Sequence, residues 1–429
     1  MPTLVIVGAQ WGDEAKGKIV DWLGGEATYV VRYSGGNNAG HTVIIGDQTF
    51  KFHLLPAGIL HPGATAVLGG GMVIDPKGLL EELDRTVAVH PNIGKLEISL
   101  AAHVVFPYHR MLDRLEEEAR GANKIGTTSR GIGPAYQDKV ARIGIRFAEF
   151  VNPERFHRRL KEVLAVKNRL LQLFGEKPLD FEEVYAEYSA YADRLRPYVT
   201  DTDWDLQEAV KRNERVLFEG AQGTFLDLDS GTYPYVTSSH PIAAGACIGT
   251  GIGPRSIDRV LGVAKAYTTR VGSGPLPTEL LDATGELIRE QGQEYGTTTG
   301  RGRRCGWLDL VALRQSCRLN SMSGLILTRL DVLSGIGDLK MCVGYRLNGK
   351  EIPYLPSDVD EFALVEPIYR EFEGWSGNLR VARSLADLPK ATQRYLSFVE
   401  EFCETPLAVA SVGPDREETI LVDPQAIWG

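Results

Sequence analysis

The chain has 429 residues and a formal charge of −9, from 47 basic and 56 acidic side chains. With 43% apolar and 24% charged residues it is a globular chain and not a disordered one. The acidic balance excludes a broad nucleic-acid footprint and leaves room for a local phosphate site.

The N-terminus lacks the basic and small-residue features of a signal peptide. It opens instead on Leu4-Val5-Ile6-Val7, a short buried-strand pattern that runs into a Gly-rich loop. Tyr29-Val30-Val31 leads into Ser34-Gly35-Gly36-Asn37-Asn38-Ala39-Gly40-His41-Thr42, and Ala66-Val67-Leu68 into Gly69-Gly70-Gly71. The spacing from about 76 to 89 predicts a helix starting at Pro76. Residues 150–213 are charged, helical in pattern and nearly free of glycine, and read as a helical insertion. Further strands are expected at Val216-Leu217-Phe218, Val260 to Ala264, Leu325-Ile326-Leu327 and Leu407 to Ala410, with helices at 307–320 and 391–404.

Short buried strands alternating with helices predict an α/β fold: a large, mostly parallel central sheet flanked by helices. No Gly/Ser-rich linker divides the chain, so residues 1–429 are expected to form one composite domain. In such sheets ligands sit at the carboxyl ends of strands. The glycine clusters follow the strands, and 47 glycines exceed the usual share of about 7%. Cys247, Cys305, Cys317, Cys342 and Cys403 are odd in number and form no Cys-x-x-Cys pair, which argues for reduced thiols. No run of about 18 apolar residues suggests a membrane span. The expectation is a soluble, cytoplasmic protein with no membrane or nucleic-acid partner.

Gly12-Asp13-Glu14-Ala15-Lys16-Gly17-Lys18 fits the phosphate-loop pattern G-x-x-x-x-G-K between a strand and a helix. Backbone N–H groups cradle phosphate oxygens there, the helix N-terminus adds partial positive charge, and Lys18 is expected on the β/γ-phosphates. The pattern wants Ser or Thr next, to hold Mg²⁺, but Ile19 stands there. Asp13 is the nearest oxygen ligand for the metal. A carboxylate beside phosphates implies metal binding or proton transfer, so the loop is built for chemistry on a second substrate.

Three other clusters join it. Asn37 to Thr42 offers amides, a glycine backbone and His41, which titrates near neutral pH. Thr328-Arg329-Leu330-Asp331 follows a strand, as the guanine-reading N/T-K-x-D of GTP-binding proteins does. The Asp331 carboxylate would pair with guanine N1–H and the 2-amino group. Facing adenine it would stay unpaired, at a cost of about 1–3 kcal/mol. Ala410-Ser411-Val412-Gly413-Pro414 reads as a second base-contacting loop. Thr297-Thr298-Thr299-Gly300-Arg301-Gly302-Arg303-Arg304 packs planar donors that match carboxylate or phosphate oxygens two at a time.

From Val7 to Asp423 these motifs resemble the adenylosuccinate synthetase family. The matching stretches are Gln10 to Lys18, Gly36 to Thr42, Ile125 to Tyr136, Phe218 to Leu226, Gly231 to Ser239, the arginine loop with Gly306-Trp307-Leu308-Asp309, and Ser411 to Arg416. The resemblance implies the reaction GTP + IMP + L-aspartate → GDP + phosphate + adenylosuccinate, with Mg²⁺, through a 6-phosphoryl-IMP intermediate. It makes Asp13 the base that takes the IMP N1 proton and His41 the acid on the transferring phosphoryl. An ordinary Asp, with a pKa of about 3.9, is a weak base, so the 6-oxyanion must be captured at once.

The resemblance also distributes the contacts. GTP contacts are implied for Gly12, Asp13, Glu14, Ala15, Lys16, Gly17, Lys18, Gly40, His41, Thr42, Arg303, Arg329, Leu330, Asp331, Ser411, Val412 and Gly413. IMP contacts are implied for Asp13, Lys16, Asn38, Ala39, Gly40, His41, Thr128, Arg142, Gln222, Thr237 and Arg301. Aspartate contacts are implied for Thr297, Thr298, Thr299, Gly300, Arg301 and Arg303. Asp13 and the Gly40 carbonyl are implied as Mg²⁺ ligands. Arg142 matches an arginine that reaches the IMP 5′-phosphate of a neighbouring subunit, which implies a homodimer.

Three positions depart from the family pattern. Ala15 and Ser129 replace glycines, and Ala15 is expected at negative φ. Arg329 replaces a lysine whose stem packs on guanine, and its guanidinium is expected to stack there. The competing class, a GTP-dependent switch with no second substrate, would want Ser or Thr at Ile19 and has no use for Asp13, His41 or the arginine loop.

Overall fold

The structure, a computed structural model, describes residues 2–45, 48–121, 124–296 and 300–429. Ten strands build its main sheet: β1 (Thr3–Gly8), β2 (Tyr29–Arg32), β3 (Thr65–Leu68), β4 (Lys95–Ser99), β5 (Val199–Thr200), β6 (Val216–Glu219), β7 (Arg259–Lys265), β8 (Gly324–Thr328), β9 (Leu407–Ser411) and β10 (Thr419–Leu421). Across the sheet they run β10-β9-β8-β7-β1-β6-β2-β3-β4-β5. Every pairing is parallel except β9 with β10.

The sequence dictates this arrangement. The strands are short and β-branched, and all six residues of β1 are buried. A strand covered on both faces reads as a continuous apolar run. Alternate side chains then serve opposite faces. Leu4, Ile6 and Val30 join Ile19 and Val20 in one core, while Val5, Val7, Val31 and Phe218 lie in the other.

Helices cover both faces. They include α1 (Lys16–Gly24), α2 (Pro76–Val89), α3 (Pro107–Ala119), α4 (Ile132–Ala141), α5 (Pro153–Leu173), α6 (Phe181–Leu195), α7 (Thr202–Lys211), α8 (Ala283–Gly292), α9 (Leu310–Asn320) and α10 (Lys390–Cys403). Helix α2 occupies the predicted span, and α10 starts one residue earlier than expected. Helix α9 starts at Leu310 and not at 307, because Asp309 caps it by accepting a hydrogen bond from Ala312 N at 3.0 Å. A smaller sheet is built from Leu308–Asp309, Leu339–Leu347, Lys350–Ile352 and Glu366–Phe372.

Residues 150–213 are not wholly helical. Between α6 and α7 they contribute β5, which pairs with β4 at Ile98 and Ser99. Helix α5 starts where the Asn152 side chain accepts from Arg155 N. It buries Phe156, Leu160, Val163, Leu164 and Leu171 in the same core as Tyr188, Ala192 and Leu195 of α6. Each such apolar side chain is worth about 1.5–3 kcal/mol on burial. Among the described residues no helix is long and apolar enough to cross a membrane.

Because β1, β2, β6, β7, β8 and β9 are parallel, their carboxyl ends open on one edge. The phosphate loop follows β1, Glu219 ends β6, Lys265 ends β7, and the Asp331 turn follows β8.

Candidate active site

A cavity of about 630 Å³ lies along that edge, lined by the phosphate loop, residues 38–42, residues 125–128, Gln222, Thr237, Arg301, Arg303, Arg329 and Ser411.

The phosphate loop is tightly wound. Gly12, Asp13 and Ala15 have φ of 91°, 60° and 68°. Ala15 therefore sits in the left-handed region, against the expectation of negative φ. An alanine there costs about 1–2 kcal/mol, and the surrounding contacts impose it. Glu14 is fully buried. Its carboxylate accepts from Gly12 N at 2.8 Å, Gln10 N at 3.1 Å and Lys16 Nζ at 2.7 Å. Its side chain thus faces inward, away from any nucleotide, and holds Lys16 at the cavity wall. Thr328 Oγ1 donates to Glu14 O at 2.9 Å and ties the loop to β8.

Lys18 points elsewhere than expected. Its ammonium donates to Ser411 Oγ and Gly413 O, both at 2.7 Å, and to Glu418 O at 3.0 Å. It joins the phosphate loop to the loop after β9, and burial pushes its pKa down to about 8.

His41 is buried, and its Nδ1 contacts the Glu219 carboxylate. Glu219 has no exposed surface and also accepts from Ala57 N at 2.9 Å. Burial pushes the His41 pKa down, and the attraction of Glu219 offsets part of that. Burial alone would raise the Glu219 pKa, but His41 and Arg32 outweigh it and hold the carboxyl below its usual range. A proton on Nδ1 facing a carboxylate leaves Nε2 for a ligand. Sequence reading missed Glu219, although a carboxylate ending the apolar run Val216-Leu217-Phe218 is a readable signal.

Asn38, Gln222 and Thr237 are brought together. Gln222 Nε2 donates to Asn38 Oδ1 at 3.2 Å, and Asn38 Nδ2 donates to Thr237 Oγ1 at 3.5 Å. Gln222 has φ of 53° and a buried Oε1 with no protein partner among the described residues. Ala39, Gly40, Thr42 and Thr128 line the same wall. Glu117 of α3 shapes the Thr128 loop, accepting from Thr127 N at 3.3 Å and Gly126 N at 2.5 Å. Ser129 adopts φ of 53° in place of the family's glycine.

At the Asp331 turn, Oδ2 pairs with Arg380 at 3.1 Å, and Oδ1 is buried without a partner among the described residues. A buried carboxylate oxygen of this kind is able to accept a further hydrogen bond. Arg329, Ser411 and Gly413 line the cavity, whereas Leu330, Asp331 and Val412 are not among its lining residues. Arg329 does not project as a free stacking surface. It has φ of 65°, its Nη2 donates to Gly292 O, and its Nε donates to Tyr267 OH at 3.4 Å.

The arginine loop is only partly described: Thr297, Thr298 and Thr299 lie outside the described residues. Gly300 is exposed with φ of 66°. Arg301 lines the cavity and donates to Gly126 O at 3.3 Å. Arg303 Nε pairs with Asp13 Oδ2 at 3.0 Å, and its Nη1 donates to Glu294 at 2.5 Å. Glu294, Lys265 and Tyr267, all buried here, were also missed. Arg142 lies outside the cavity, exposed at the C-terminus of α4.

The residues present fit magnesium. Asp13 keeps a third of its side chain exposed, and both Asp13 and Gly40 line the cavity. Two protein oxygens suffice, because Mg²⁺ completes its octahedron with phosphate and water oxygens. Among the described residues the compact cluster of metal-capable groups is Asp227, Asp229 and His240. Asp227 uses its oxygens on Asp229 N, Ser230 N and His240, which makes that cluster a turn-stabilising one.

Fold and site together define a phosphate-loop nucleotide enzyme whose cavity also holds His41, backed by the buried Glu219, and a set of arginines. The adenylosuccinate synthetase family model matches residues 5–420. The adenylosuccinate synthetase of Carboxydothermus hydrogenoformans is 54% identical over 424 residues, covering 99% of each chain. That of Clostridium botulinum (strain Hall) is 51% identical, covering 98% of this chain and 99% of its own. The solved structure of fully ligated adenylosuccinate synthetase from Plasmodium falciparum superposes with a TM-score of 0.94 at 38% identity, covering 99% of this chain and 100% of that one. The chain belongs to the adenylosuccinate synthetase family. It is a GTP-dependent ligase that joins IMP and L-aspartate on the route to AMP. A GTPase switch is not what the chain resembles.

Proposed function

We propose a division of labour within the cavity. Asp13 takes the N1 proton of IMP while the γ-phosphoryl of GTP is transferred to O6. His41 donates a hydrogen bond from Nε2 to that phosphoryl, and Glu219 holds the imidazole through Nδ1. The hypoxanthine oxygen is a poor leaving group, and phosphorylation turns it into phosphate, which the aspartate amine then displaces at C6. The supporting observation is that one cavity is lined by Asp13, by His41 backed by Glu219, by the Gln222–Asn38–Thr237 chain and by Arg301. A phosphoryl group beside the buried His41 raises the affinity of the ring for a second proton, which suits it to act as the acid.

Lys16, Asn38, Gln222 and Thr237 hold the purine nucleotide, Asp331 reads guanine, and Arg301 clamps aspartate with the loop around it. Asp13 and the Gly40 carbonyl would hold Mg²⁺. The metal, when bound, neutralises charge across the phosphates and aligns them. Positioning and electrostatics supply the rest.

The working unit in this reading is a cytoplasmic homodimer in which Arg142 reaches the neighbouring subunit's IMP phosphate. Arg142 is flanked by apolar Val140 and Ile143, 78% and 36% exposed, side chains of a kind that an interface covers. Phosphate release from GTP and Mg²⁺, with and without IMP and L-aspartate, tests the reaction. Release only with both, accompanied by an N6-substituted adenine spectrum, is expected. Release from GTP alone would overturn the reading.

A further inference from the structure

One fully buried side chain has no role in the division of labour above. Glu294 follows α8 and closes the base of the arginine loop: its carbonyl accepts from Arg303 N at 2.8 Å, and its side chain has no exposed surface. Oε1 accepts from Lys265 Nζ at 2.7 Å and from Tyr267 OH, and Oε2 accepts from Arg303 Nη1. Arg329 Nη2 stands 3.6 Å from Oε1 and donates to the carbonyl of Gly292, two residues back in the chain.

One carboxylate therefore serves three cations from three segments. Lys265 ends β7, Arg303 ends the arginine loop, and Arg329 opens the guanine-side turn. Arg303 carries the connection on to Asp13 at 3.0 Å. A carboxylate shared in this way cannot satisfy each cation independently. If Arg329 moves, Oε1 loses a neighbouring positive charge and the Gly292 carbonyl loses its donor, and the segment from Gly292 to Glu294 carries that change to the base of the arginine loop. The cost of breaking a buried charge network makes the arrangement discrete and not gradual.

We propose that Glu294 is a positioning residue that links the guanine side of the cavity to the aspartate side, so that Arg329 and Arg303 take up their binding positions together. The proposal rests on the assignment of Asp331's turn to guanine and the arginine loop to aspartate. Occupation of the guanine side then favours the arginine geometry that receives the amino acid, and the reverse holds by linkage.

The test is Arg329→Met, with KM for GTP, L-aspartate and IMP measured separately alongside thermal unfolding. Arg329 is partly exposed, so the variant folds more readily than one at Glu294. KM for GTP and KM for aspartate are both expected to rise, each by about fivefold or more. KM for IMP should stay within about twofold and the melting temperature should hold. A rise for GTP alone overturns the linkage and leaves the site assignments standing. No rise for either overturns the assignment of this turn to guanine. A uniform change in all three constants, with lowered melting temperature, overturns the linkage in favour of a merely structural role. Glu294→Gln, if it folds, should reproduce the split, and Glu294→Asp, which keeps the charge but falls one methylene short, should restore it only in part.

Discussion

The two sides of the cavity are held in opposite ways. On the phosphate-loop side two groups each have a buried carboxylate of their own: Lys16 has Glu14, and His41 has Glu219. On the arginine-loop side Lys265, Arg303 and Arg329 share Glu294. Burial alone would raise the pKa of Glu294, yet the three cations push it down to about 2. One-to-one pairing fixes a group without reference to its neighbours, which suits parts that must be ready before any substrate arrives. Sharing makes neighbours interdependent, which suits parts that must respond to several substrates.

The largest expected effect breaks the paired side. His41→Asn should cut turnover by about 10²- to 10⁴-fold, the usual range for a positioned acid. IMP affinity, followed by calorimetry, should change little, and near-normal turnover would remove His41 from the mechanism. Glu219→Gln should lower turnover by about ten- to a hundredfold, the value of a buried charge-assisted hydrogen bond. Because its pair is independent, KM for GTP and aspartate should hold. A rise in both constants would mean that the two sides are not distinct in the way their carboxylates suggest.

A smaller effect compares a paired histidine with an unpaired one. His109 lies 2.9 Å from Asp138, whereas the positive neighbours Lys139 and Arg146 face His103. Burial first, and those cations second, push the His103 pKa down to about 3. The unfolded chain, with an ordinary value of about 6.5, then binds more protons between those limits, so stability falls as pH drops below about 6.5. The loss at pH 5.5 is about 1 kcal/mol from this residue. Asp309, pushed up to about 6 by burial, runs the other way and offsets part of it. Urea midpoints at pH 7.5 and 5.5 should converge in His103→Gln. Unchanged pH dependence in that variant would exclude the residue as a source.

The smallest effect concerns Ala15. Relief of its left-handed backbone by Ala15→Gly is worth about 1–2 kcal/mol, and the added chain entropy of glycine returns about 0.5–1 of it. A net gain of about 0–1.5 kcal/mol in unfolding free energy is expected. A loss would show that the methyl group contributes packing that the strain conceals.

Much of the architecture was legible in the sequence, because strands buried on both faces leave uninterrupted apolar runs. Leu4 to Val7, Val260 to Ala264 and Leu407 to Ala410 all became strands of the main sheet. The strand Val199–Thr200 was hidden, because two residues inside a charged helical stretch carry no periodicity. The positions lining the cavity were legible where glycines and motif residues cluster. Glu294 was not, because nothing local distinguishes Gln293-Glu294-Tyr295 from a solvated loop; its meaning lies in Lys265 and Arg329, distant in sequence. The φ of Ala15 was misjudged because side-chain identity is weak evidence where surrounding contacts dictate the backbone.

The short strand β5 has a further consequence. The main sheet ends on one side in two residues and on the other in the three-residue antiparallel β10. Both borders are too brief to template an incoming chain, a common protection against edge-to-edge aggregation. The stretch 150–213 supplies one of those borders and shields β4 behind it. Its removal would lay bare the β4 hydrogen-bonding groups at Ile98 and Ser99 and lengthen the open edge of that strand, leaving a protein prone to self-association even with every cavity residue still in the chain.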